Sequence, residues 1–245
     1  MKITFLGTSH GYAEKGRFTS ATLIESGGHS YLLDAGGPVE ALMVNLGKSY
    51  SDIRGIFITH MHSDHVGSLN TVIEPFMSYR RNDDSVCFLP EQNGLDAFIQ
   101  WLTAIHVDRE KLLKTVEFRV TQPGMIYKND DITVTAIPTK HLEFVNSPSY
   151  AYRFEHNGKR VLFTGDMSTG FGEYPDISGG VSYDLIVCEM AHCKLENAAE
   201  MLKKSNTKRM IINHYHVPQL AGYEEISKTF PFDISLAYDG LEVTV

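Results

Sequence analysis

Residues 55–68 read GIFITHMHSDHVGS, and they carry the strongest structural signal in the chain. GIFIT is an apolar run of strand length. Four candidate metal ligands follow it within six residues: His60, His62, Asp64 and His65. In an extended segment His60 and His62 project to the same side, because side chains alternate with period two. Imidazole and carboxylate together suit zinc, iron, manganese or nickel, so this stretch predicts a metal site.

One loop cannot fill two coordination spheres, so further ligands are expected elsewhere in the chain. Three candidates each follow an apolar strand: His141 after TAIP, Asp166 after VLFTG and His214 after MIIN. Residues at the C-terminal ends of strands can gather at one edge of a sheet, and a shared placement of this kind indicates a site. The sequence therefore predicts one metal centre built from these three residues and the loop.

The remaining elements predict the α/β class. The first half of the chain is rich in hairpins, with His156-Asn157-Gly158 as a turn, and a helix is expected over 66–78. The second half carries strand–helix–strand units. This mixture predicts two packed sheets with helices outside, a four-layer αββα sandwich. We expect a single domain over 1–245, because α/β folds of this length are often undivided.

Composition narrows the class of function. The net charge of −8 argues against a broad nucleic-acid-binding face, although a small or single-stranded nucleic acid could bind locally. No apolar run approaches the roughly 20 residues of a membrane span, and the N-terminus lacks a signal-peptide pattern. A cytoplasmic protein with no membrane partner is expected. Cys87, Cys188 and Cys193 are too few for a disulfide framework and are expected to be buried thiols.

The motifs resemble those of metallo-β-lactamase-fold hydrolases, specifically the ribonuclease Z-like phosphodiesterase branch. The resemblance runs through nearly the whole chain and rests on these segments: FLGTSHG (5–11), LLDAGG (32–37), FITHMHSDHVGS (57–68), SYAYRFEHNGKRVLFTGD (149–166), IINH (211–214) and AYDG (237–240). Zinc β-lactamases with sulfur ligation carry cysteine where this chain has Asp166. Glyoxalase-like and lactonase-like members usually follow the third histidine with threonine and a Gly-Ser pair, and this chain does not.

The resemblance implies two divalent metal ions. One would be bound by His60, His62 and His141, and the other by Asp64, His65 and His214. Asp166 would bridge the two ions, and Asp34 would lie beside the ligand loop. His214 matches the family's last ligand better than His216, because it directly follows the strand. Zinc is the first expectation, with iron, manganese and nickel left open.

The resemblance also implies catalytic roles for Glu189 and His192 in the segment CEMAHC. Only two residues separate them here, against a longer insert in the family. His192 would donate a proton to the leaving oxygen or hydrogen-bond the phosphoryl group, with Glu189 orienting it. The alternative is an ordinary histidine at a helix start. Asp64 would also act in catalysis, by steering the proton of a metal-bridging hydroxide.

Weaker candidates have two interpretations each. His10 would line the pocket mouth or be a solvated loop residue. One of Tyr150 and Tyr152 would face the substrate, or both would pack in the core. The pairs Arg80-Arg81 and Lys203-Lys204 are expected to be solvated helix faces without a function.

These features predict a phosphodiesterase acting on small or exposed phosphodiesters, such as a cyclic nucleotide, a cyclic phosphate or an RNA 3′ end. An ester, lactone or amide hydrolase of the same fold is the alternative, and a non-hydrolytic di-metal protein with a redox or structural role is a further one. Full-length tRNA is not expected as a substrate. Ribonuclease Z enzymes grip it with a long arm after the third histidine, and only HLEFVNSPS (141–149) stands here. A homodimer is left open.

Overall fold

The computed structural model describes residues 1–79 and 85–245, so Arg80-Arg81 lies outside the described residues. Two seven-stranded sheets form the centre of the molecule. The first sheet has the order β14 (Glu242–Thr244), β1 (Lys2–Gly7), β2 (Ala21–Ser26), β3 (His29–Leu33), β4 (Ile53–Phe57), β5 (Ser85–Leu89), β6 (Val116–Val120). The second has the order β13 (Asp233–Leu236), β12 (Arg209–Tyr215), β11 (Leu185–Met190), β10 (Lys159–Phe163), β9 (Ser149–His156), β8 (Thr133–Thr139), β7 (Gly124–Lys128).

Helices cover the outer face of each sheet. The α-helices of the described residues are α1 (Val39–Asn45), α2 (Ser63–Val66), α3 (Leu69–Tyr79), α4 (Gln92–Ala104), α5 (Arg109–Thr115), α6 (Tyr174–Ser178), α7 (Leu195–Leu202) and α8 (Tyr223–Ile226). Helices α1, α3, α4 and α5 pack on the first sheet, and α6 and α7 pack on the second. The architecture is therefore the predicted αββα sandwich.

Strand alternation builds the three apolar layers. In β10, Val161 and Phe163 point into the layer between the sheets, while Leu162 packs under the helices of the second sheet. In β2, Ile24 points between the sheets and Leu23 toward the helices of the first sheet. Successive side chains of a strand point to opposite faces, so strands covered on both sides need apolar residues at almost every position.

Some local predictions need correction. The helix expected over 66–78 begins at Ser63 and is interrupted after Val66, so that it forms α2 and α3. Strand β7 and helices α5 and α6 were not predicted. β7 lies at the sheet edge and is largely exposed, so it lacks an alternating apolar pattern. The Asn157-Gly158 turn is confirmed, with both residues at positive φ between β9 and β10.

His214 was expected to follow its strand, but it lies inside β12 as an extra residue. Glu189 of β11 pairs with Asn213 and Met190 with Tyr215, so His214 is left at a bulge with φ of 45°. A bulge re-aims a side chain out of the regular ladder. The last candidate ligand thus points toward the other ligands because of a local irregularity. No helix in the described part of the chain has both the length and the apolar character to cross a membrane.

Candidate metal centre

The seven candidate ligands meet at one place between the sheets. The end of β4 leads into the loop with His60 and His62 and then into α2, while β8 and β10 lead to His141 and Asp166. The nearby donors divide into two groups: His60, His62, His141 with Asp166, and Asp64, His65 with His214. The structure brings together all the residues that the sequence proposed. Their role as metal ligands remains a prediction.

Asp166 lies between the two groups and offers one carboxylate oxygen to each. Its Oδ2 is 3.7 Å from His60 Nε2 and 3.7 Å from His141 Nε2. Its Oδ1 is 3.4 Å from His65 Nε2 and 3.3 Å from His214 Nε2. This is the arrangement that a carboxylate bridging two ions requires.

The remaining two candidates complete the groups. His62 Nδ1 lies 3.3 Å from His141 Nε2. Asp64 Oδ2 lies 3.4 Å from His65 Nε2 and 3.7 Å from His214 Nε2. Each group therefore gathers nitrogen and oxygen donors around a common point.

Unpartnered buried atoms indicate that these residues fit divalent ions. His60 Nε2, His65 Nε2 and Asp166 Oδ1 are buried without a hydrogen-bond partner, and a buried polar atom left unpaired is costly. Donors about 2.0–2.1 Å from a shared tetrahedral ion lie about 3.3 Å apart, close to the separations found here. The donor set of imidazoles and carboxylates also suits zinc and its neighbours.

Asp34 supports the group of Asp64, His65 and His214, which we call the closed group because all three residues are buried. His65 Nδ1 donates to Asp34 Oδ2 at 2.8 Å, which leaves Nε2 free to face Asp166. Asp34 Oδ1 accepts from the Thr59 backbone N–H at 2.8 Å, and the Thr59 hydroxyl lies 3.0 Å from His60 Nδ1. Such hydrogen bonds on the far nitrogen select the tautomer and ring orientation of a ligating histidine.

The segment that carries Asp34 is held against the ligand loop by its backbone. Ala35 N–H donates to the His65 carbonyl at 2.7 Å, and Ser68 N–H donates to the Ala35 carbonyl at 2.8 Å. A Cβ on Gly36 would overlap the backbone carbonyl of Asp64, so this close approach requires glycine. The LLDAGG motif is therefore a support for the loop.

Charges within the buried group shift the pKa values in opposite directions. Burial acts to raise the pKa of Asp166, but His214 and His65 hold it well below its usual range. Burial acts to lower the pKa of His65, but the carboxylates of Asp166 and Asp34 raise it well above the ordinary value. Burial, aided by His65, lowers the pKa of His60. A metal ion bound at this position would therefore compete with a proton for His65.

Glu189 holds His192 at the edge of the group. Glu189 Oε1 accepts from His192 Nδ1 at 2.9 Å, and Oε2 accepts from the backbone N–H groups of Ala191 and His192. His192 Nδ1 lies 3.9 Å from Asp166 Oδ2. Burial acts to lower the pKa of His192, but Glu189 outweighs it and raises the value to about 9. The structure thus brings both predicted catalytic partners beside the candidate ligands.

A cleft of about 570 Å³ opens beside the donor group that contains His62 and His141. Its lining residues are His62, Lys140, His141, Glu143, Phe144, Met167, Ser168, Thr169 and His192. Phe144 is 80 % exposed at this cleft, and Lys140 contributes a positive charge. The volume is typical of a site for a small molecule.

Sequence reasoning missed Glu173, which joins the two walls of the cleft. Glu173 Oε1 accepts from the backbone N–H of Lys140 at 2.9 Å and from that of Ser168 at 2.7 Å. Burial acts to raise the pKa of Glu173, but the Ser168 and Lys140 hydrogen bonds lower it. Glu173 therefore fixes the loop before His141 to the loop after Asp166. A glutamate in a Gly-rich segment gives no sequence signal for this role.

The weaker candidates are also located. Tyr150 and Tyr152 pack in the core, and their hydroxyls donate to the carbonyls of Thr121 and Ile58. All three cysteines are buried and free, as expected. His10 neither lines the cleft nor is solvated, since its side chain is only 12 % exposed.

Comparison with known proteins places the chain among the relatives of ribonuclease Z. Ribonuclease Z of Mycobacterium sp. (strain KMS) is 25 % identical over 276 residues, covering 98 % of this chain and 94 % of the relative. Three solved structures share the fold. They are YhfI from Bacillus subtilis (TM-score 0.76, 18 % identity, 99 % of each chain), the short form of human tRNase Z, ELAC1 (0.77, 19 %, 100 % and 99 %), and Zn²⁺-bound PqqB from Methylobacterium extorquens (0.74, 13 %, 100 % of each).

These similarities confirm the predicted metallo-β-lactamase fold and the resemblance to ribonuclease Z. The chain is a metallo-β-lactamase-fold hydrolase with a cluster of histidine and aspartate side chains suited to metal. The model of the anti-Pycsar protein Apyc1 family matches residues 1–232, which is nearly the whole sequence. The chain therefore belongs to the family of the anti-Pycsar protein Apyc1.

Proposed function

We propose that this protein is a binuclear metal-dependent phosphodiesterase that hydrolyses a small cyclic nucleotide. The observation that carries the proposal is the position of Asp166, which directs one carboxylate oxygen toward each of the two donor groups. His192 Nδ1 lies 3.9 Å from Asp166 Oδ2. In this proposal His60, His62 and His141 hold one ion, Asp64, His65 and His214 hold the other, and Asp166 is shared.

Two bound divalent ions, zinc first among them, would activate a water molecule at neutral pH and neutralise charge on a phosphoryl oxygen. Asp64 remains ionised, because His65 and His214 outweigh burial and hold its pKa far below the usual value. It therefore orients a water proton by accepting a hydrogen bond. Since Glu189 occupies His192 Nδ1, Nε2 is the nitrogen left to donate a proton to the leaving oxygen.

The cleft supports a small substrate. A volume of about 570 Å³ suits a mononucleotide better than a folded RNA. Lys140 can pair with the phosphate, and exposed Phe144 offers a face on which a nucleobase can stack. Between β8 and β9 the chain forms only the short 3₁₀ turn Glu143–Val145, so no long arm is inserted there. The family name, anti-Pycsar protein, and the ribonuclease Z relatives are compatible with a phosphodiester substrate.

A substrate panel on metal-reconstituted protein tests the proposal. It contains 3′,5′-cyclic and 2′,3′-cyclic nucleotides of all four bases, bis(p-nitrophenyl) phosphate, a phosphomonoester, a carboxylic ester, a lactone, a β-lactam and a 3′-extended precursor tRNA. We expect the highest kcat/KM with a cyclic nucleotide. The Asp166→Ala variant should hydrolyse none of these substrates. Faster turnover of the ester or lactone would favour the alternative hydrolase. Salt-sensitive cleavage of the precursor tRNA would instead indicate an RNA-processing enzyme.

A further inference from the structure

A third group of imidazole and carboxylate donors lies outside the Asp166 centre. It consists of His10 and Glu14, in the loop between β1 and β2, and His216, just beyond β12. One donor atom from each lies within 4.8 Å of the others. The His10 and His216 rings are 4.4 Å apart between centroids. Two segments that are distant in the sequence thus bring three donors to one place.

His10 has a donor atom without a partner. Its Nε2 is buried and makes no hydrogen bond, although Glu14 Oε1 is 3.4 Å away. That separation is long for a hydrogen bond between charged groups, but it matches two donors about 2 Å from one tetrahedral ion. An unpaired buried nitrogen is costly unless something binds it.

Arg17 fixes Glu14 and leaves one of its oxygens available. Arg17 Nη1 donates to Glu14 Oε2 at 2.6 Å. The Arg17 guanidinium lies 3.7 Å from the Tyr215 ring centroid and donates to the Tyr215 carbonyl at 2.9 Å. Glu14 Oε1 therefore faces His10 without being taken by Arg17. Burial and then His216 lower the pKa of His10, which favours the neutral imidazole that binds metals over an imidazolium–glutamate pair.

We propose that His10, Glu14 and His216 form a third metal site, separate from the Asp166 centre. Two imidazoles and one carboxylate are a recognised zinc donor set, with the fourth position left for water. A bound ion would link the β1–β2 loop to His216, which lies just beyond β12 and two residues after His214. Because it would join these two segments, the ion would position the loop and the end of the strand that carries a candidate ligand.

Counting zinc in reconstituted protein tests this site directly. We expect each of His10→Ala and His216→Ala to contain one zinc ion fewer per chain than the wild type. His156→Gln, which changes the last residue of β9, is the matched control and should keep the wild-type count. Glu14→Gln retains the size of the side chain, and its zinc should be lost at lower chelator concentration. An unchanged count in both alanine variants would overturn the proposal.

Two further measurements separate this site from the Asp166 centre. Asp166→Ala should lose the ions of that centre and still bind one zinc ion, with an anomalous scattering peak between His10, Glu14 and His216. Zinc should slow tryptic cleavage after exposed Lys15 in the Asp166→Ala protein and not in Asp166→Ala/His216→Ala. Equal cleavage rates in both proteins, or no anomalous peak, would contradict a third site even if the phosphodiesterase proposal held.

Discussion

The two donor groups of the candidate metal centre differ in their access to solvent. The open group consists of His60, His62 and His141. In it His62 is exposed and His141 half-buried, and both line the cleft. In the closed group Asp64, His65 and His214 are all buried. The cleft therefore gives a substrate a path to the centre past the open group. We infer that the open group receives the substrate and that the closed group holds its ion more firmly.

Their supporting hydrogen bonds differ in the same direction. The closed group rests on a carboxylate, because His65 Nδ1 donates to Asp34 at 2.8 Å. In the open group His60 has the hydroxyl of Thr59, and His141 Nδ1 donates to the Met167 carbonyl at 3.3 Å. An ionised acceptor strengthens a hydrogen bond and raises the basicity of the ligating ring. Each prediction below tests one part of this contrast.

The largest effect is expected from the residue that the two groups share. Asp166→Ala removes the carboxylate that faces both groups and leaves five imidazoles and the Asp64 carboxylate. We expect both ions and the phosphodiesterase activity to be lost together. Elemental analysis beside a rate assay measures this. Asp130→Ala, which changes an exposed aspartate between β7 and β8, is the control and should keep both.

The next effect separates catalysis from metal binding. His192→Ala should leave the metal content unchanged and lower kcat by roughly 10²–10⁴-fold, the usual range for a positioned acid. The reason is that His192 lies on the open side and is held by Glu189 through its Nδ1. Near-normal kcat in this variant, on the best phosphodiester, would mean that His192 is not the proton donor.

The pH profile sharpens that assignment. A proton donor acts while it is protonated, so kcat should be full below the pKa of His192 and fall as pH rises through it. Glu189 raises that pKa to about 9, and nearby cations would bring it down again. Glu189→Gln removes the negative charge, so the falling limb should move to lower pH. An unmoved limb would assign the titration to another group.

Much of this centre could be predicted from sequence, and the parts that could not depend on tertiary contacts. The donors of the loop 60–65 are close in sequence, and motif spacing alone groups them. Asp166 and His141 follow apolar strands, so their placement also has a local signal. The bulge at His214 depends on the pairing of β11 with β12. Glu173 acts through backbone groups 33 and 5 residues away, which no local pattern records.

A smaller effect should fall on the closed group alone. Asp34→Asn keeps the size of the side chain and suits the positive φ of 58° at this position, since asparagine tolerates that region. It removes the charge that supports His65, so affinity for one ion should fall by about 10–100-fold while the other is little changed. Chelator titration of the two ions measures this. Equal weakening of both would refute the proposed difference between the groups.

The smallest effect concerns the open side, where the substrate enters. Phe144 is 80 % exposed and lines the cleft. It is not part of the core, so its removal should leave the free energy of unfolding unchanged. Stacking of a base on an aromatic ring contributes about 1–3 kcal/mol, and an exposed ring should give the lower end. Phe144→Ala should therefore raise KM for a cyclic nucleotide by about 5–10-fold with little change in kcat.

Two other substrates and a second variant serve as controls for this prediction. Bis(p-nitrophenyl) phosphate has aromatic rings in place of a nucleobase, so Phe144→Ala should raise its KM as well. A dialkyl phosphodiester has no aromatic ring, so its KM should not change. Trp101→Ala, which removes a 55 % exposed ring on α4 away from the cleft, is the control. If Trp101→Ala and Phe144→Ala change KM equally, the exposed phenylalanine does not recognise the base, and specificity must come from the polar lining instead.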